Sequence, residues 1–401
     1  MDRARRGESL SVITLDALNR VPVDEFTATL GAIFEHSPWV PRRAAAARPF
    51  ASRLDLLDAM RAVVEAAPVE EQLGLIRAHP QLGARGRKRA ELTEASSREQ
   101  RRAGLDACTD EEFEQLLRLN AAYVNKFSFP FILAVRGHDP NSILASMGSR
   151  LNNSPESERH TALTQIGLIG GYRLADIVAS PAGAEIKAMS DRLGKAAAAD
   201  SAADRSLART ATAANSTAAA DSTASATSTA AVDTARVPAR TSTQATALSP
   251  ARALLREWML AANLDLYTAP DGSLAGVQHH DPNAKSLLTG VHSDPTTGAL
   301  RSDGSLGSLP GIAVAQQIRQ KGLATRFNLC VLAPSDSANI DPLVPLRSLG
   351  LSARYEVYAR QLTVIEHTHD PLDLRSLDPR TLERAVQTLE TFLTQPPQIQ
   401  K

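Results

Sequence analysis

From about Lys195 to Ala247 the chain is almost entirely Ala, Ser, Thr and Asp, with scarcely a bulky apolar side chain. Such a stretch cannot bury enough surface to offset the entropy of ordering it, so it reads as a disordered linker whose alanines support only transient helix. It divides the sequence into three expected parts: a domain over residues 8–178, a linker over 179–248 and a second domain over 249–397. With 43% hydrophobic and 22% charged residues among 401, both flanking parts can bury a core. The expected class is therefore multidomain.

Charge and cysteine content narrow the function. Lys+Arg and Asp+Glu number 44 each, so no net field favours nucleic acid or an anionic membrane surface, and the short run Arg85, Arg87, Lys88, Arg89 reads as a solvated face. Cys108 and Cys330, the two cysteines, are far apart, which excludes a disulfide framework and a thiolate-rich zinc site. A reducing cytoplasm fits that usage. No segment approaches the roughly 18 apolar residues needed to span a bilayer, and Met1 to Gly7 is basic without an apolar run, so neither anchor nor secretion signal is expected.

Helical periodicity runs through the N-terminal part. Phe26, Leu30, Ile33 and Phe34 repeat at helical spacing, as do Leu54, Leu57, Met60, Val63 and Val64 behind an N-cap at Ser52. Thr109 with Glu112 makes a capping box ahead of Phe113, Leu116, Leu117, Tyr123 and Val124, and Ser154-Pro155 opens a later helix holding Leu163, Ile166 and Ile169. These stripes are core packing, and the expected N-terminal fold is an all-α helical bundle. The C-terminal part changes character. An amphipathic helix around Leu254 to Leu264 is followed by apolar runs at 286–290 and 328–332, with a helix at Ile312 to Lys321 between them and a last helix at about Pro379 to Leu393. Strand, helix, strand indicates a small α/β domain.

Chemistry concentrates near His79, which precedes Pro80 and the segment Gln81-Leu82-Gly83-Ala84-Arg85-Gly86. That sets a ring with a pKa of about 6.5 at a helix end beside an irregular loop, although such a histidine serves equally well as a cap or packing residue. Downstream come Ser96-Ser97-Arg98-Glu99-Gln100, then Lys126-Phe127-Ser128-Phe129-Pro130-Phe131-Ile132-Leu133-Ala134-Val135-Arg136-Gly137, then Gly171-Tyr172-Arg173. In order and spacing, residues 8–178 resemble the OHCU (2-oxo-4-hydroxy-4-carboxy-5-ureidoimidazoline) decarboxylase family.

The resemblance implies a carboxy-lyase of urate catabolism that turns this product of 5-hydroxyisourate hydrolysis into (S)-allantoin and CO2. The ring system that flanks the reacting carbon delocalises the electrons left by CO2, so the decarboxylase is expected to need no cofactor. His79 matches the family's proton donor. Glu99 would orient or polarise ureido N–H groups or tune His79, Ser96 and Gln100 would add neutral hydrogen bonds, and Pro80 would shape the pocket wall. Phe131, Ile132, Leu133, Ala134 and Val135 match the substrate-binding segment, whose backbone N–H groups suit an oxyanion. Arg173 offers a planar fork for a carboxylate or ring carbonyl. Phe127 and Phe129 read as core. The family also implies a homodimer acting on a small-molecule substrate.

A second resemblance lies beyond the linker. Thr289-Gly290-Val291-His292-Ser293-Asp294, followed by Arg301-Ser302-Asp303-Gly304, is similar to metal-dependent amidohydrolases that include allantoate amidohydrolase. By that likeness His292 would be a metal ligand, Asp303 the bridging carboxylate and Asp294 the partner that orients His292. The family's Glu-Glu pair is replaced by Pro334-Ser335-Asp336-Ser337, so Asp336 is a candidate ligand without the general base, and His367 or His369 would be the final ligand. The expectation is a truncated, degenerate domain. Two other readings stand beside it: a bifunctional enzyme that also hydrolyses allantoate with a residual divalent metal, and a non-catalytic module that tethers the decarboxylase to other urate-pathway enzymes.

Overall fold

Capping chemistry sets the helix starts. The Thr14 hydroxyl accepts the Ala17 N–H at 3.2 Å at the head of α1 (Leu15–Arg20), and α2 (Val23–Leu30) and α3 (Trp39–Ala44) follow. Helix α4 (Arg53–Glu65) begins with a reciprocal capping box between Ser52 and Asp55. After α5 (Val69–Arg77), further boxes open α6 (Asp110–Phe127) at Thr109 and Glu112 and α7 (Pro140–Arg150) at Asp139 and Ser142. Ser154 and Pro155 open the long α8 (Pro155–Ile177). The expected stripes Phe26, Leu30, Ile33, Phe34 and Leu54, Leu57, Met60, Val64 are buried, as are Phe127 and Phe129.

This computed structural model describes residues 12–83, 96, 99, 103–105, 108–196, 198–199, 250–268, 273–280, 286–293, 300–302, 305–325, 327–333 and 379–394. The run Arg85 to Arg89 lies outside the described residues. Among those described, no helix is long and apolar enough to cross a membrane.

Helix α8 touches α4, α5 and α6, and its burial extends round the helix: Ala162, Ile166, Ile169, Tyr172, Arg173 and Leu174 are all buried. Gly170 permits one of its close approaches, since a Cβ there would stand 3.2 Å from the Phe34 ring. Its buried carboxylate, Glu158, accepts from the Tyr123 hydroxyl, Arg150 and Asn153 Nδ2, so the charge enters the core already paired. The same Tyr123 ring stands edge-on to Phe131 at 5.2 Å between centroids and 4.6 Å from Phe127, which anchors the loop that follows α6. Two-residue strands β1 (Ile13–Thr14) and β2 (Val178–Ala179) pair in parallel and tie the start of this region to the end of α8.

The helical region does not stop at residue 178. Residues 182–196 form α9, with Ala182, Ile186 and Met189 buried, so the first part of the span expected to be linker is packed helix instead. Those apolar side chains lie ahead of the Ala/Ser/Thr-rich stretch, which offers scarcely any of its own. Residues 200–249 lie outside the described residues.

The C-terminal part holds α10 (Pro250–Ala261), then strands β3 (Asp265–Thr268), β4 (Leu274–Gln278), β5 (Ser286–Thr289), β6 (Val291–Ser293) and β7 (Leu300–Ser302), helix α11 (Ser305–Lys321), strand β8 (Asn328–Ala333) and helix α12 (Pro379–Thr394). The expected strand, helix, strand unit is β5, α11, β8, with β5 parallel to β8. The four-stranded sheet runs β3-β4-β8-β5, and its β3-β4 and β4-β8 pairs are antiparallel, so it is mixed rather than parallel. All six residues of β8 are buried, as a central strand requires.

Residues 1–190 and 256–401 cluster as one compact unit, and 191–255 as another. Expected as separate domains, the helical and sheet parts instead share the first unit. Arg53 bridges Glu185 Oε1 at 2.8 Å and Gln316 Oε1 at 2.7 Å, all three buried. Helix α8 ends with orphan carbonyls, and α11 satisfies them: Arg319 donates to Ala175 O at 2.9 Å, and Gln320 to Ala175 O at 2.9 Å and Val178 O at 3.0 Å. Arg319 also pairs with Asp176 at 2.6 Å.

Candidate active site

The pocket is built at the end of α5. His79 follows the last turn, where its Nδ1 lies 2.8 Å from Leu75 O and its backbone N–H donates to Ile76 O at 3.1 Å. A carbonyl accepts only, so Nδ1 carries the proton and Nε2 presents its lone pair. Nε2 is buried without a hydrogen-bond partner among the described residues. Burial pulls the imidazolium down to about 4; the Leu75 carbonyl and the Glu35 carboxylate oppose that fall, whereas Arg173 and His36 add to it. The ring is thus neutral at pH 7.

About 350 Å3 of space, part of it open to solvent, faces this ring. Its lining includes His79 and Pro80 from the α5 end, Ser96 and Glu99, Phe131, Ile132, Leu133 and Val135 from the loop after α6, and Arg173 from α8. Leu82, Ile169 and Glu35 complete it. Asn120 Nδ2 holds the loop after His79 by donating to Leu82 O at 3.1 Å.

Arg173 organises the polar wall. Its Nε donates to Glu99 Oε1 at 3.1 Å and its Nη2 to Glu99 Oε2 at 3.0 Å, a bidentate pair. Nη2 also reaches Glu35 Oε1 at 3.0 Å and Ser96 Oγ at 3.1 Å, while Nη1 lies 3.3 Å from Ala32 O and 3.4 Å from Ile33 O. Each guanidinium nitrogen is engaged by the protein, so the fork expected to face a substrate carboxylate faces Glu99. Burial disfavours the charged guanidinium, but Glu99 and Glu35 outweigh it and raise the Arg173 pKa. Burial likewise pushes Glu35 up, yet Arg173, the Ser96 hydroxyl and His79 bring its net pKa below the ordinary carboxylate value.

Of the residues expected at the site, Ala134 stands apart. Its N–H donates to Gln165 Oε1 at 2.9 Å, and it does not line the pocket with its four neighbours. Gln100 lies outside the described residues. Of the candidate metal ligands, His292 sits in β6, whereas Asp303, Asp336 and His369, with Asp294 and His367, lie outside the described residues. Among described residues no cluster of three or more His, Cys, Asp or Glu is present that would hold a metal. Glu35 escaped the sequence reading because it follows the apolar stripe off its spacing. It is buried, with a left-handed backbone of φ 45°, in the segment between α2 and α3.

The OHCU decarboxylase family model matches residues 19–175, a span that contains every residue lining this pocket. The 2-oxo-4-hydroxy-4-carboxy-5-ureidoimidazoline decarboxylase of Haloferax volcanii is 43% identical over 164 residues, 41% of this chain and 95% of that protein. The uric acid degradation bifunctional protein PucL of Bacillus subtilis is 42% identical over 176 residues, 44% of this chain and 35% of that protein. The crystal structure of (S)-allantoin synthase is 31% identical, covering 41% of this chain and 54% of that one, with a TM-score of 0.33.

Proposed function

The chain belongs to the OHCU decarboxylase family, and on that premise we propose that its helical region decarboxylates 2-oxo-4-hydroxy-4-carboxy-5-ureidoimidazoline to (S)-allantoin and CO2 in urate degradation. The observation that carries the chemistry is the bare, buried Nε2 of His79 in a pocket walled by Glu99 and Arg173. When CO2 leaves, the electron pair of the broken C–C bond forms a C=C bond to the adjacent ring carbon, the C=N π pair moves onto the ring nitrogen, and that nitrogen takes from solvent the one proton the reaction consumes. The enol that remains must lose its hydroxyl proton and gain one at the adjacent ring carbon. A neutral ring with a free lone pair accepts the first proton and, as imidazolium, delivers one to the carbon from its own side.

In this reading Glu99, its carboxylate held by the Arg173 fork, uses its remaining lone pairs on the ureido N–H groups. Arg173 acts by fixing Glu99. Ser96, Gln100 and the backbone of Phe131, Ile132, Leu133 and Val135 complete the substrate contacts, with Pro80 and the apolar side chains keeping water out, which strengthens each polar contact. The reaction is written with no cofactor, because the substrate's own ring is the electron sink. A homodimer in the cytoplasm completes the proposal, supported by the family and by the sparse cysteines Cys108 and Cys330.

Freshly generated substrate, followed by circular dichroism, is expected to give (S)-allantoin stereoselectively; decay to racemic product at the background rate would sink the proposal. His79→Ala is expected to remove about 100-fold or more of kcat while the far-ultraviolet spectrum is unchanged.

A further inference from the structure

One charged residue in the pocket wall has no part in the reaction as written. Glu35 is 2% exposed, lines the same pocket as His79, and accepts hydrogen bonds from Arg173 Nη2 at 3.0 Å and from the Ser96 hydroxyl. It adopts φ 45°, a left-handed conformation that glycine or asparagine holds more cheaply than glutamate. A side chain at such a position is explained by what its carboxylate does.

We propose that Glu35 is a positioning residue of the decarboxylase site: it fixes Arg173 and Ser96 against the pocket wall and supplies the negative charge that stabilises His79 when the ring takes up a proton. Charge counting carries the argument. Among the described residues the wall holds one guanidinium, Arg173, between two carboxylates, Glu35 and Glu99, and His79 is neutral. Among these groups negative charge is in excess, on side chains that are themselves mostly buried. That excess is balanced at the moment His79 becomes imidazolium, so the site is complementary to the protonated ring formed during turnover. The groups that act on His79 have opposing signs. Glu35 favours its protonation, as the Leu75 carbonyl does through Nδ1, while Arg173 and His36 oppose it. Glu99 shares the pocket wall, with both its oxygens turned to Arg173. At the ring, then, the Glu35 carboxylate opposes the Arg173 charge.

This inference rests on the decarboxylase reading, and its test separates the two. Glu35→Gln keeps the shape and an acceptor for Arg173 and Ser96 while removing the charge. It is expected to lower kcat about 10- to 100-fold with KM within about threefold, and to move the acid limb of the kcat/KM profile to lower pH. In the full chain the His79 ring, assigned in the proton-carbon NMR spectrum by its loss in His79→Gln, is expected to titrate about one pH unit lower in Glu35→Gln than in the parent. That measurement needs no turnover, so it reads the proposal even if the parent proves inactive on this substrate. Glu35→Asp keeps the charge one methylene shorter, and it is expected to restore part of kcat and of the titration. It also serves as the test variant if Glu35→Gln does not fold, with a smaller displacement in the same direction. An unchanged kcat in Glu35→Gln, or a loss of activity that tracks thermal stability while the His79 titration stays at the parental pH, would overturn the proposal.

Discussion

Arg173 carries five N–H donors, and the fold spends them on Glu99, Glu35, Ser96 and the carbonyls of Ala32 and Ile33. A lysine offers a charge without the fork. Arg173→Lys is therefore expected to destabilise the protein by about 2 kcal/mol or more and to lower kcat, read by urea unfolding and the stereoselective assay together. The neighbouring His79 makes a separate prediction. Its ring titrates at about 4 when folded against 6.5 when free, so between those values the unfolded chain binds a proton that the folded chain refuses. Stability from this group is complete above the free value and is lost as pH falls, on the order of 3 kcal/mol by the time the folded ring protonates. Thermal melts of the parent at pH 7 and pH 4.5 are expected to differ by more than those of His79→Gln, in which this linkage is removed. Equal differences in both proteins would contradict the buried neutral ring.

At the scale of elements, α8 carries the site on one stretch and the close packing on another. Gly170 stands one turn before Arg173, against the Phe34 ring and beside Ile33, so the approach of the chain after α2 to α8 is what brings Glu35 to the guanidinium. Gly170→Val gains a few tenths of a kcal/mol in helix propensity but forces a branched side chain into that contact, an overpacking cost of about 1–3 kcal/mol. The expected outcome is a lower denaturation midpoint and a kcat loss larger than the change in KM. Helices α2, α4, α6 and α8 were legible beforehand because their signals are local: the N-cap at Ser52, the box at Thr109, the Ser154-Pro155 start, and the apolar repeats. The two-residue strands β1 and β2 were not, since Ile13 pairs with Val178 across the whole helical region. Nor was the β3-β4 hairpin, whose strands of four and five residues are too short for alternation to mark them.

At the scale of the molecule, the sheet part is bound to the helical part through α11, whose Arg319 and Gln320 take up the carbonyls at the end of α8. Replacing both with alanine leaves Ala175 O and Val178 O without these donors and Asp176, among the described residues, with Arg136 as its cation, at 3.0 Å. A loss of about 2–4 kcal/mol is expected in urea unfolding. Ending the chain at residue 200 removes the same contacts and also uncovers Leu57, Leu174 and Met189, which Trp258 and Ala261 help enclose. Such a chain is expected to melt well below the parent; an unchanged melting temperature would show that the sheet part is only tethered.

Written in the sequence were the capped and apolar-striped helices, the Ala/Ser/Thr-rich division and, through His79, Pro80, Ser96, Glu99, Phe131 to Val135 and Arg173, the family to which the chain belongs. All of these are written in short-range spacing or in residue identities that follow one another along the chain. Tertiary structure alone decided that α9 continues the packed helical region, that the sheet part caps α8, and that the Arg173 fork turns to Glu99. It also decided the place of Glu35, a residue off the apolar stripe that meets Arg173 in the pocket wall with a left-handed backbone. Each of these depends on groups distant in sequence meeting in a buried space, where an unpaired charge or carbonyl is too costly to leave alone.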